Sequence, residues 1–161
     1  MESLQILKTE EIKLQNYKTG VTSISVSDCV RGVALKCNPL KDDYRTMIGK
    51  AISKMYFLHG KQYTPDIILT FTDAIIETYD YETPETILLF FKKAANGDFG
   101  KFYGEPDIGT IREWFAEYLG NTIVPERELY HLENKETYDS QREQKKSLRE
   151  IIQGPPQLRK V

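Results

Sequence analysis

Apolar positions recur at three- and four-residue intervals through the middle of the chain. Met47, Ile48, Ala51, Ile52 and Met55 form one stripe within DDYRTMIGKAISKMYFLHG. Acids at its start suit the helix dipole and Gly60 supplies a stop, so the pattern predicts a helix over 43–58. Thr64-Pro65-Asp66 and Thr83-Pro84-Glu85 each place a hydroxyl at an N-cap, proline at the first helical position and an acid in the first turn. The first of these helices is expected to bury Ile67, Ile68, Phe71, Ala74 and Ile75. The second is expected to bury Ile87, Leu88, Phe91, Ala94 and Ala95 before Gly97 ends it. Asp107 then caps a helix whose Ile108, Ile111, Trp114, Phe115, Tyr118 and Leu119 cover a broad apolar face before Gly120. Linked helices of this kind predict an all-α fold, a compact helical bundle of about five helices.

The flanks read differently. Residues 3–16 can form a short helix, and V21-T-S-I-S-V alternates like a brief strand. Ser27 stands where an N-cap would, ahead of Cys29, Val30, Val33 and Ala34 at helical spacing, which predicts a helix over 28–37 ended by Asn38-Pro39. Beyond Pro125 the composition favours helix, yet Tyr138 is the only large apolar residue between Leu132 and Leu148. No core face persists there, so residues 1–125 are expected to form the bundle domain and 126–161 a charged C-terminal helical arm. Leu148, Ile151 and Ile152 make a small apolar patch near its end, before Gly154-Pro155-Pro156 stops the helix and leaves a basic tail, QLRKV.

Composition narrows the class. A chain of 161 residues with 40% apolar and 29% charged residues suits one globular domain with an appended arm. No run approaches the roughly 20 apolar residues that span a bilayer, and the N-terminus lacks a signal-peptide core, so a cytoplasmic protein without a membrane partner is expected. Cys29 and Cys37, two turns apart on the expected helix, are too far apart for a metal pair and poorly placed for a disulfide; both are expected as reduced core residues. The net charge of −2 hides a division: residues 1–63 carry ten bases against six acids, whereas 64–125 carry four against eleven. Solvated helix faces account for that polarity, which can also orient a charged partner.

The stretch KKAANGDFGKFYGEPD, residues 92–107, superficially looks like a phosphate cradle. A phosphate-binding loop needs glycine five residues before Gly100 and a hydroxyl after Lys101, where Ala95 and Phe102 stand, and a strand rather than a helix should precede it. Nucleotide binding is therefore not expected. A structural reading explains more: Gly97 takes a left-handed helix end, while Phe99, Phe102 and Tyr103 pack beneath the loop and leave Lys101 toward solvent. The same small residues allow a partner close approach.

The run YETPETILLFFKKAANGDFGKFYGEPDIGTIREWFAEYL resembles a family of uncharacterised small helical proteins found in Bacteroidetes genomes, their phages and mobile elements. In that family a helix ending in two aromatics leads to a Gly-x-x-Gly-Lys-x-Tyr loop and an acid-capped helix carrying Trp and Tyr. The matching positions here are Phe90, Phe91, Gly97, Gly100, Lys101, Tyr103, Asp107, Trp114 and Tyr118. The resemblance implies architecture and no catalytic residue. Proteins of this kind look similar in size and layout to helicase loaders and replication accessory factors; for a phage-encoded member the resemblance implies host cytoplasm or a virion as the setting.

Candidate chemistry is thin. His59 sits at a helix end, where it can meet the last carbonyls, and His131 lies in the arm; neither belongs to a metal-spaced cluster. Asp66, Asp73, Glu77, Asp80, Glu82 and Glu85 are what capped, solvated helices ordinarily carry, and no pattern singles out a catalytic pair. No catalytic residue, metal or cofactor is expected. The favoured class is a non-enzymatic protein–protein interaction adaptor, with Lys101, Phe102 and Tyr103 at the loop and Leu148, Ile151 and Ile152 on the arm meeting a replication or virion protein. Nucleic acid is a secondary partner, for which Arg45, Lys50, Lys54 and Lys61 are the candidate phosphate contacts. A virion structural or assembly component is the alternative, and a DNA-binding regulator the second.

Overall fold

The computed structural model describes residues 2–20 and 22–153, and all regular structure among them is helical. In chain order the helices are α1 (Glu2–Thr19), α2 (Val26–Arg31), α3 (Lys41–Leu58), α4 (Pro65–Tyr79), α5 (Pro84–Asn96), α6 (Ile108–Tyr118) and α7 (Val124–Gln153). The chain divides into two units, residues 1–126 and 127–161. The first is an all-α bundle. In the second, the described residues belong to α7, where Leu129, Leu132, Tyr138 and Leu148 are exposed.

Helix α5 organises the bundle. Every residue from Pro84 to Phe91 is buried, as are Ala94 and Ala95. A helical segment buried on all sides must be enclosed by neighbours, and α2, α3 and α6 pack against α5 while α4 packs on α3. Phe90 lies at the centre, 4.7 Å from the Phe115 ring and 5.0 Å from Phe91. Thr83 caps the helix, accepting from the Thr86 N–H. Its own hydroxyl donates to the Cys29 carbonyl at 2.8 Å, which ties α2 to the start of α5.

The two flanking helices of the core follow their stripes with a small rotation. In α3, Ile48, Ile52 and Met55 are buried together with Tyr44 and Tyr56, while Met47 and Ala51 are half-buried. In α4, Thr64 caps by accepting from the Ile67 N–H, but Ile67 is exposed and the inward face carries Ile68, Thr72, Ile75, Ile76 and Tyr79.

Four local expectations are corrected. Residues 22–25 form no strand, and Ser25 rather than Ser27 caps α2. Ser25 has Asp28 three residues on, which accepts the Ser25 N–H at 2.7 Å in a reciprocal capping box; Ser27 would have only Val30 there. The helix expected over 28–37 stops at Arg31, because the Leu35 and Lys36 N–H groups donate at 2.8 Å to the carbonyls of Glu82 and Asp80 instead of continuing the helical ladder. Leu35–Cys37 form a short 3₁₀ turn, so the two cysteines do not share a helix; Cys29 is buried and Cys37 is exposed, and both are free.

At the other end, Gly120 does not terminate α6. Leu119–Ile123 widen into a π turn, with the Val124 N–H donating to Leu119 O, and helical structure continues through Pro125 to Gln153. Pro125 has no N–H to place in an α-helical ladder, and the π turn ends two residues before it.

The turn after α2 brings Gly32 against α5: a Cβ there would lie 2.7 Å from Glu85 Oε2 and 3.1 Å from Thr83 Cβ. Gly32→Ala is expected to lower stability by about 1–3 kcal/mol in urea unfolding. Gly104→Ala, which meets open space, should stay within about 0.5 kcal/mol of the parent. Equal effects of the two would contradict this packing.

Candidate functional site

Residues 97–107 connect α5 to α6 as a loop fastened at both ends. Gly97 takes φ +84° and its N–H donates to Ala94 O, while the Asp98 N–H reaches Lys93 O, which closes the last turn of α5. Gly100 is also left-handed, at φ +112°. At the far end the Tyr56 hydroxyl donates to Pro106 O at 3.4 Å, and the Asp107 carboxylate caps α6 by accepting from the Thr110 N–H and hydroxyl. Those hydrogen bonds from Thr110 hold the Asp107 carboxyl below its usual range.

Between these ends the aromatics divide. Phe99 stacks on Trp114 with centroids 6.1 Å apart and lies 5.4 Å from Phe90. Phe102 is buried, 4.6 Å from Trp114 and 5.1 Å from the His59 ring. His59 in turn donates from Nε2 to Ala94 O at 2.7 Å, so it serves the carbonyl end of α5 rather than its own helix. Lys101 is exposed and Tyr103 is fully exposed. The placement corrects one expectation: Phe102 is part of the loop's foundation and has no free face for a partner. It also separates Tyr103 from the aromatics expected to pack beneath the loop.

The remaining expected residues are scattered. Leu148 is exposed on α7; Ile151 and Ile152 lie in the same helix, with side chains outside the described residues. Arg45 is already engaged, its Nη2 and Nε lying 2.6 and 2.9 Å from Asp73 Oδ1. Lys61 is half-buried at the end of α3. Lys50 and Lys54 are exposed one turn apart on α3, beside a groove that also meets Lys92 of α5. The four proposed phosphate contacts thus do not form one surface of free cations.

A buried polar cluster escaped the sequence. Glu82 and Glu85, read there as solvated acids, are buried, as is Glu10. Glu10 accepts from Asn38 Nδ2 at 2.8 Å, Lys13 Nζ at 3.1 Å and the Tyr44 hydroxyl at 3.3 Å. Lys13 Nζ also stands 3.6 Å from Glu85 Oε1, while neither Glu85 oxygen accepts a hydrogen bond. Burial pushes the Glu85 carboxyl up to about 7, and Lys13 reverses only part of that shift. Burial acts to lower the Lys13 value, but its bond to Glu10 and the two carboxylate charges raise it overall. Glu85 can therefore hold a proton near neutrality, yet no part of it is exposed to meet a substrate. The available signal was the unbroken apolar run Ile87–Phe91 beginning two residues after it, which leaves no polar face over that part of α5.

Among the described residues no group of three or more His, Cys, Asp or Glu side chains is arranged to hold a metal ion, and no helix is long and apolar enough to cross a membrane. No family model, curated protein or solved structure matches the chain.

Glu85 gives the fold a pH dependence of defined sign. Between the ordinary carboxyl value of 4.5 and about 7, the folded protein retains a proton that the unfolded chain releases. Its contribution to stability is full below the lower value and is lost as pH rises through the upper one. Glu85→Gln removes that dependence. Relative to the parent it should gain about 1–3 kcal/mol between pH 5 and pH 8 in urea unfolding; an unchanged difference at the two pH values would contradict the assignment.

Proposed function

We propose that the protein is a non-enzymatic interaction module that a partner protein reads at the loop between α5 and α6. The observation that carries this reading is Tyr103, fully exposed two residues after the exposed Lys101, while Phe99 and Phe102, both ahead of it in the loop, are packed into the body. A tyrosine held on an anchored backbone offers a large amphipathic surface and loses little conformational freedom on binding. Its hydroxyl supplies direction, and the neighbouring ammonium favours an acidic rim on the partner. The buried aromatics contribute by fixing the backbone rather than by touching the partner.

The partner proposed is a replication protein, with the chain acting as an accessory factor of the helicase-loader type, by analogy of size and helical layout alone. Leu148, exposed on α7, is proposed as a separate apolar contact for a partner.

The test uses the full chain as bait in nuclease-treated host extract, with Tyr103→Ala and Phe102→Ala as paired variants. Tyr103→Ala should leave the unfolding transition unchanged and reduce recovery of a replication protein about tenfold or more. Phe102→Ala should instead cost about 3–5 kcal/mol of stability through the cavity it leaves. Recovery of capsid or tail proteins, or of the same partner at an undiminished level by Tyr103→Ala, would overturn the reading.

A further inference from the structure

The surface between α3 and α5 carries a groove of about 380 Å³ that the loop does not involve. Its floor is apolar, formed by Met47 and Ala51 of α3 and Leu88, Phe91 and Ala95 of α5. These two helices are the most extensively packed pair in the bundle, so the floor is backed by core. Met47 is half-buried, and an unbranched thioether adapts readily to an incoming side chain.

The rim has one sign. Lys50 and Lys54 stand on the α3 side and Lys92 on the α5 side, all exposed. Of the described basic residues of the bundle, Lys13, Lys18, Arg45 and Lys93 have a carboxylate within ion-pair distance, whereas others, Lys61 and Lys101 among them, do not. Among the described residues, none of the three lysines around the groove has one. An apolar trough bounded by uncompensated positive charge recognises an apolar stripe bounded by negative charge.

We propose that the α3–α5 groove is a docking site for an acidic amphipathic helix of a partner protein. Apolar side chains one turn apart on that helix enter the trough over Met47, Ala51 and Leu88, and glutamates or aspartates flanking them pair with Lys50, Lys54 and Lys92. This is the helix-in-groove mode of recognition, with charge setting the position of the helix along the trough. A single-stranded nucleic acid fits less well, because such sites use open aromatic faces for base stacking, whereas Phe91 is buried within the floor and Tyr17 at the edge is only half-exposed.

The proposal is independent of the Tyr103 loop, and the experiment separates the two. The probe is a labelled synthetic peptide of about four helical turns made of leucine, glutamate and alanine, with leucines on one face and glutamates beside them. Its binding to the full chain is followed by fluorescence anisotropy. Saturable binding is expected, weakened about tenfold or more by Lys50→Glu/Lys54→Glu and unaffected by Tyr103→Ala. The same peptide with lysine in place of glutamate should not bind. The proposal is overturned by absence of binding, by binding that the lysine reversals leave unchanged, by equal binding of the lysine peptide, or by tighter binding of a single-stranded oligonucleotide. Because the reversals lie on exposed positions, an unchanged circular dichroism melt accompanies a valid loss; a lowered melt directs the same measurement to Lys92→Glu, which must then show the loss.

Discussion

Enclosure of α5 is the constraint on which the rest of the bundle depends. The first two turns of α5, which present Ile87, Leu88, Leu89, Phe90 and Phe91 in succession, have no exposed residue, so neighbours must pack around that segment, and α5 meets solvent only toward its end, at Lys92 and Asn96. Helices α3, α2 and α6 supply that cover. The polypeptide between α2 and α3 also runs close by, held by the Glu82 and Asp80 carbonyls at the approach to α5. Enclosure explains why a Cβ at Gly32 would crowd Glu85 and Thr83. It also explains why an acid in the first turn of α5, a position ordinarily solvated and favoured by the helix dipole, is forced into the interior.

That burial has a price met by Lys13 and by protonation. Glu85 is compensated by one ammonium at ion-pair distance, which Glu10 shares. Helix α1 has only Glu10 and Leu14 buried among its described residues, so this polar cluster is a principal means by which α1 is held. Charge pairing in the interior offsets desolvation only in part, and a carboxyl near neutrality is the consequence. The opposite end of α5 is handled by backbone chemistry instead: a left-handed glycine, the His59 ring on Ala94 O, and two loop phenylalanines packed on Trp114. The same enclosed helix thus fixes a buried titratable group at its start and an anchored recognition loop at its end.

What could be read from the residues follows from how local the responsible physics is. The caps at Thr64, Thr83 and Asp107 and the helix end at Gly97 are set within a few residues, and the structure has them where the sequence placed them. The end of α2 was illegible because carbonyls about fifty residues away take the N–H groups that would have extended it. Gly120 and Pro125 are local helix breakers, yet helical structure continues through both, with a π turn over Leu119–Ile123. Whether Phe102 or Tyr103 turns inward depends on Trp114 and His59, and no spacing within the loop encodes that choice. Glu85 and Lys92 were missed for the same reason: one is buried beside Lys13 of α1 and the turn after α2, and the other joins a groove with α3, only once helices distant in sequence have packed.

The most direct test of this account is native-state hydrogen exchange resolved by residue. If α5 is the enclosed centre, amides from Leu88 to Phe91 should exchange only through global unfolding, at the free energy given by urea denaturation, with α3 opening in the same event. Those amides opening well below the global free energy, while α3 and α4 remain protected, would contradict the account.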